Sequence, residues 1–264
     1  MLRSMYSGIG GMKNFQTKLD VIGNNIANVN TYGFKKGRTI FKDLVSQQIS
    51  GASAATAARG GTNPKQVGLG STLGAIDTVQ TQGSLQTTGR SLDLAISGDG
   101  FFIVRDGNND YLTRAGNFYL DNQGYLVNQD GLYVIGIGGG KIQIPNTAKS
   151  ISIGADGKVT YVVDGNSTPQ TAGQIALAKL QNPEGLEKVG NNLFQVTTNS
   201  GGMNNIAPGT NGAGTIVPGA LEMSNVDLSE EFTEMIVAQR GFQANTRIIT
   251  TSDQILEELV NLKR

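Results

Sequence analysis

The 264-residue chain contains no cysteine, no histidine and no tryptophan. The first absence excludes disulfides, thiolate nucleophiles and cysteine-held zinc; the second removes the commonest general base and the commonest metal ligand. Charge of either sign is also missing in net: 21 Lys and Arg stand against 21 Asp and Glu. No basic field therefore draws in nucleic acid, and a chain with no net charge tends to associate rather than stay dispersed. Nowhere do about eighteen apolar residues run together, and the first residues show no apolar core behind a basic start. Neither membrane insertion nor a cleaved signal peptide is expected. A chain of this length can form one large domain or two smaller ones around a real core.

What the chain does have is periodicity at its ends. Leu228, Met235, Phe242, Ile249 and Leu256 stand seven apart, and Phe232, Ile248, Ile255, Leu259 and Val260 widen that line into an apolar stripe. Asp227 with Glu230 three residues on is a capping box, Glu230 and Glu231 suit the positive end of the helix dipole, and Lys263 and Arg264 suit the negative end. A helix of roughly 50 Å is predicted from Asp227 to Arg264 at 1.5 Å per residue. The first thirty residues repeat Leu2, Met5, Ile9, Met12, Phe15, Leu19, Ile22, Ile26 and Val29 at steps of three and four, predicting a second helix. Gly8, Gly10, Gly11 and Gly23 cost it roughly 1 kcal/mol each against Ala. It needs a partner, and its glycines let a neighbouring backbone come close. Residues 1–40 hold six cations against Asp20, while residues 221–264 hold eight acids against four cations, so the two ends are electrostatically matched.

Between these ends the period falls to two. A short amphipathic piece covers Lys35 to Ser50, and Ser50 to Gly70, rich in Gly, Ala, Ser and Thr, reads as a flexible loop. From about Leu73 to Leu221, short apolar runs such as Leu92, Leu94 and Ile96 or Phe102 and Val104 are separated by Asp-Gly pairs at 99, 106, 130, 156 and 164, the chemistry of tight hairpins. The predicted fold is α+β: long N- and C-terminal helices paired as a coiled-coil-like core from 1–34 and 222–264, a connecting segment at 35–72, and an inserted antiparallel all-β domain at 73–221.

No motif carries catalysis. Asp106, Asn108 and Asp110 open like a calcium loop, but Tyr111 stands where glycine is needed and Asn117 where the bidentate Glu belongs, so a hairpin tip is expected. Gly136 to Lys141 has Ile135 and Ile142 where a phosphate loop needs Gly and Ser or Thr, so it is a turn. The Asn166-Ser167-Thr168 sequon implies nothing without a eukaryotic secretory context. No catalytic residue, cofactor or metal is expected, and the chain is not read as an enzyme.

The stretch Asn24-Asn25-Ile26-Ala27-Asn28-Val29-Asn30-Thr31-Tyr32-Gly33-Phe34-Lys35 resembles the signature of the bacterial flagellar axial proteins, the rod, hook and hook-associated subunits. Leu221 to Asp227, Met235 to Arg240 and Phe242 to Asn245 resemble the same family's C-terminal motif. Leu92 to Ile96, Gly98 to Phe102, Thr113 to Phe118 and Ser152 to Gly157 resemble its β domain. The resemblance implies a structural subunit that polymerises helically into the hollow axial tube, with no nucleic acid or membrane partner. Implied partners are further copies of itself, neighbouring rod, hook-cap and hook–filament-junction proteins, and the flagellum's own export apparatus. Its location would be the hook–basal body, outside the cytoplasm. The implied assembly residues are Asn24, Asn25, Ala27, Asn28, Thr31, Gly33, Phe34, Leu228, Met235, Gln239, Arg240, Phe242, Asn245, Ile249 and Leu256. Ser50 to Pro64 is expected to be an inter-subunit loop. The motifs at both ends look more like a short hook protein, the reading favoured here. Length and the Ser50–Gly70 stretch look more like the distal rod, the alternative; a surface adhesin is the reading from another class.

Overall fold

The computed structural model describes residues 2–56, 59–164 and 168–262. Lys263, Arg264, Gly165, Asn166 and Ser167, on which parts of the reading above rest, lie outside the described residues, as does the tip of the Ser50–Pro64 stretch at 57–58. Contacts divide the chain into two compact units, one of residues 1–27, 37–77 and 227–264, the other of residues 28–36 and 78–226. The expected boundaries at 34 and 222 thus fall inside the second unit. The α+β class is as read: terminal helices with an antiparallel β region between them.

The first unit is built on α1 (Leu2–Ala27) and α2 (Leu228–Asn261). Asp227 caps α2 as expected, its carboxylate accepting from the backbone N–H groups of Ser229 and Glu230, which satisfies two otherwise orphaned donors. The two helices meet along small and polar residues. A Cβ added at Gly11 would lie 2.7 Å from Asn245 Oδ1, and one at Gly241 would lie 2.5 Å from the Phe15 ring. Only glycine allows this approach at either place. Lys18 pairs with Glu234 across the seam, one instance of the charge match between the chain ends.

Four strands complete this unit: β1 (Gly37–Asp43), β2 (Gln47–Ser50), β3 (Lys65–Val67) and β4 (Ser71–Thr78). β1 pairs with β4, and β2 with β3 antiparallel. Leu44 N–H donates to Gly70 O and Arg38 faces Asp77, so the strands form one long ribbon. The ribbon's base lies on α1 through the edge-to-face pair Phe15–Phe41 and an Asn14–Ser71 hydrogen bond of 2.9 Å.

The flexible loop expected at Ser50–Gly70 is therefore corrected. Beyond β2 and β3 the arms stay in register through Ser53 with Thr62 and Thr56 with Arg59, and Ser53 and Thr62 hydroxyls meet at 2.8 Å. Ser50 pairs with Lys65, beside Pro64. Every described side chain from 47 to 69 is exposed. With neither face buried, no apolar alternation marks these strands, which is why composition alone reads as loop. The amphipathic piece at 35–50 likewise proves to be β1 and β2.

The second unit contains β5 (Leu85–Thr87), β6 (Leu94–Ser97), β7 (Phe101–Asp106), β8 (Asn109–Thr113), β9 (Tyr119–Leu120), β10 (Leu126–Val127), β11 (Tyr133–Val134), β12 (Ala148–Ile153), β13 (Lys158–Val163), β14 (Gln170–Gln174), β15 (Leu177–Lys179), β16 (Glu187–Gly190), β17 (Leu193–Gln195), β18 (Asn204–Ile206), β19 (Thr215–Pro218) and β20 (Ala220–Glu222). Its main sheet runs β16-β17-β8-β7-β11-β10-β9, with β15 also on β7 and β18 on the far side of β15. β12-β13-β14 form a separate sheet, and β19–β6 and β20–β5 pair apart.

β7 is covered on both faces. Phe102 and Val104 join one core with Leu94, Phe118 and Ile175, while Phe101 and Ile103 join another with Leu112, Ile135 and Phe194. Two covered faces require a continuous apolar run, here Phe101-Phe102-Ile103-Val104. The turn between β7 and β8 is the expected hairpin tip, with Asp106 opposite Asn109 and Asp110 held by Arg105. Gly136 to Lys141 is a turn as well, closed by Gly136 N–H on Gly140 O.

Candidate functional site

The signature stretch is split between the two units, and each half makes its own clasp. In the first unit Asn25 is 1% exposed. Its amide nitrogen donates to Gly37 O at 2.9 Å and to Glu231 Oε2 at 3.1 Å, and its oxygen accepts from Gly37 N–H at 2.9 Å. One side chain thus joins α1, the start of the ribbon and the first turn of α2. Asn24 and Ala27 lie on the exposed side of α1.

In the second unit the turn 28–33 is held by Thr31, whose hydroxyl donates to Asn28 Oδ1 and whose N–H donates to Asn28 O. Gly33 has φ +68, and a Cβ there would meet Ala115 N at 2.5 Å. Its N–H donates to Glu222 O at 2.8 Å. Phe34 is buried, with the Lys188 ammonium 4.9 Å from its ring centroid. Lys35 follows with no exposed surface. Its Nζ donates to Glu222 Oε1 at 2.5 Å and Thr81 O at 2.8 Å, while Arg114 donates to Glu222 Oε2 at 3.2 Å. Gly83 N–H adds a further donor to Oε1. Asn225 closes the clasp by accepting from Lys36 N–H and donating to Val79 O.

Burial pushes the Lys35 pKa below the ordinary lysine value, against the opposing pull of Glu222. Burial does the same to Arg114 and Lys188. Two cations share one carboxylate in a dry site, so Glu222 cannot be removed without leaving like charges side by side. The arrangement is a buried ion cluster. It fastens chain segments more than a hundred residues apart.

On α2 the expected heptad line is half of the inward face. Met235, Phe242, Asn245, Ile249 and Leu256 are half-buried, and the other half is Glu231, Ala238 and Ser252, which are buried. These three are small or charged, so a search for apolar period passes over them. Leu228 is 40% exposed, and Gln239 and Arg240 are exposed. The residues expected to widen the stripe keep much of their surface open: Phe232, Ile248, Ile255, Leu259 and Val260 are all exposed, joined by Ile236 and Val237. α1 offers α2 a narrow glycine-lined seam and covers only one side of it. Ser50 and Pro64 stand exposed on the ribbon.

Sequence models of known families match three parts of the chain: flagella basal body rod protein over residues 5–35, flagellar hook protein FlgE/F/G D1 domain over 95–161, and flagellar basal body rod FlgEFG protein C-terminal over 217–262. The flagellar basal-body rod protein FlgG of Bacillus subtilis is 61% identical, with both chains covered in full. This chain belongs to the flagellar rod and hook protein family. FlgG of Caulobacter vibrioides is 40% identical over 99% of this chain and all of its own, and the flagellar hook protein FlgE of Borreliella burgdorferi is 32% identical over the whole of both. The family consists of structural components of the flagellum, outside the cytoplasm, and not of enzymes. Part of each clasp lies on segments that the rod models match: Asn25 and Gly33 to Lys35 fall within 5–35, and Glu222, Asn225 and Glu231 within 217–262, while Arg114 falls within the 95–161 match.

Proposed function

We propose that this chain is a rod subunit of the flagellar basal body, of the distal-rod kind, which assembles helically with copies of itself and with neighbouring axial proteins into a hollow tube. One observation carries the choice of rod over hook: full-length identity of 61% to a rod protein, against 32% to a hook protein in an alignment stretched to 441 positions. The relatives thus favour the alternative over the hook reading drawn from the terminal motifs. Assembly through the helices is supported by the apolar side chains of Phe232, Ile236, Val237, Ile248, Ile255, Leu259 and Val260, which lie exposed on α2. Full burial of such side chains contributes about 1.5–3 kcal/mol each, and neighbouring copies supply the cover. Export through the flagellum's own apparatus belongs to the same proposal.

The test is electron microscopy of the purified protein at high concentration. Straight tubes are expected. Bent tubes would return the hook reading, and protein that stays monomeric at every concentration would remove the polymer itself.

A further inference from the structure

Asn211-Gly212 is the one Asn-Gly pair in the sequence. Such a pair carries its own chemistry, because the glycine's backbone nitrogen can attack the asparagine side-chain carbon with no Cβ of its own in the way. The new C–N bond closes a five-membered imide, and the side-chain nitrogen leaves as ammonia. Water then opens the imide at either carbonyl, giving aspartate, or isoaspartate with the main chain rerouted through the side chain. One water is consumed and one ammonia released.

The reactants are exposed but misaligned. Asn211 and Gly212 both lie at the surface, and among the described residues neither the Asn211 side chain nor the Gly212 N–H is tied by a hydrogen bond. They are the central residues of the turn 210–213, closed by Ala213 N–H on Thr210 O at 2.8 Å, with φ +49 at Asn211 and +74 at Gly212. Left-handed φ at both centres makes this a type I′ turn, in which ψ at the first is about +30°. At that ψ the Gly212 nitrogen lies nearly opposite the Asn211 Cβ across the Cα–C bond, out of reach of the side-chain carbon. Ring closure requires the 211–212 peptide to turn over, and glycine at 212 accepts the change of φ from positive to negative at no steric cost.

What opposes the turnover is Lys179 on β15. Its Nζ donates to Asn211 O at 3.0 Å, and it sits so close to Gly212 that an added Cβ would lie 2.6 Å from it. Turning the peptide over swings that carbonyl away and breaks the bond. The flanks are pinned by Gly209 N–H on Gly214 O at 2.9 Å and Gly214 N–H on Asp99 O at 2.7 Å, so the loop cannot follow as a body.

We propose that Asn211 is a hydrolytic self-modification site and that Lys179 is the positioning residue that holds it closed. Opening it converts a neutral amide into a carboxylate beside the Lys179 ammonium, and isoaspartate lengthens the turn that leads into β19. The proposal stands independently of the polymer reading.

Full-length wild type, folded and unfolded in urea, is incubated in mildly alkaline buffer beside folded Lys179→Met and Lys179→Ala. Conversion at 211 is followed by peptide mass spectrometry with fragmentation that separates aspartate from isoaspartate. Folded wild type should convert slowest and the folded variants about fivefold faster, because a hydrogen bond from a charged donor is gone; both isomers should form. Folded wild type converting as fast as the unfolded chain would show that the turn is not closed. Either folded variant converting at the wild-type rate would show that Lys179 does not hold it. A proportional rise at Asn199, which precedes Ser200, would report general unfolding in place of a turned peptide and would also overturn the inference.

Discussion

Replacing Glu222 by Gln keeps the side chain's shape and removes the anion that Lys35 and Arg114 share. Both cations are almost fully buried, with side-chain exposures of 0% and 4%. Breaking a buried pair by removing one partner costs about 3–5 kcal/mol, because the remaining charge stays desolvated. Here two cations remain, so the upper half of that range is expected. For a unit of this size 1 kcal/mol moves the melting temperature by roughly 2–4 °C, so the second unit of Glu222→Gln should melt about 8–20 °C below wild type. Calorimetry of monomeric protein, with chemical denaturation alongside, measures this. Lys35→Met alone should cost less, because Arg114 still pairs with Glu222. The double change Lys35→Met with Glu222→Gln should be less destabilising than the sum of the two, since one unpaired cation has gone. A Glu222→Gln variant within about 0.5 kcal/mol of wild type would show that the clasp is wet or loosely held, and the reasoning would fail.

Four further outcomes follow from the same structure. Burial lowers the Lys35 pKa, so between its folded value and the unfolded value of 10.5 the unfolded chain binds more protons; the stability of wild type relative to Lys35→Met should rise with pH through that window and be lost as pH falls through the folded value. Phe242→Glu and Met235→Glu, on the inward line of α2, should abolish tube formation while leaving the melting of the second unit unchanged; normal tubes from either would show that this line faces solvent in the assembly. Ordering the two helices costs backbone entropy, and the seam between them, opened by Gly8 and Gly11, leaves Met235, Phe242, Ile249 and Leu256 only half-buried, so circular dichroism of a dilute monomer should show less helix than the assembled tube, and equal helix in both would contradict this. Deleting Ser50 to Pro64 should leave the melting of the second unit unaltered but change the shape or stiffness of the tubes seen by electron microscopy; identical tubes would reject a role for the ribbon in assembly.

Periodicity and turn chemistry alone place the two terminal helices, the Asp227 cap, the hairpin between β7 and β8 and the antiparallel β class. These are local properties: a heptad, a capping side chain or an Asp-Gly pair acts within a few residues of itself. The signature Asn24–Lys35 was legible as a resemblance, with its chemistry hidden. Only the tertiary structure shows that it divides at Ala27, that Asn25 serves one unit and Gly33 to Lys35 the other, and that Lys35 finds Glu222 and Arg114. Nothing local distinguishes Lys35 from the neighbouring Lys36, because burial of a charge is decided by partners 79 and 187 residues away. The inward residues Glu231, Ala238 and Ser252 and the ordered ribbon were missed for related reasons. A helix face that packs on a glycine-bearing partner admits small and polar residues between its apolar ones, and a strand with neither face covered carries no alternation to read.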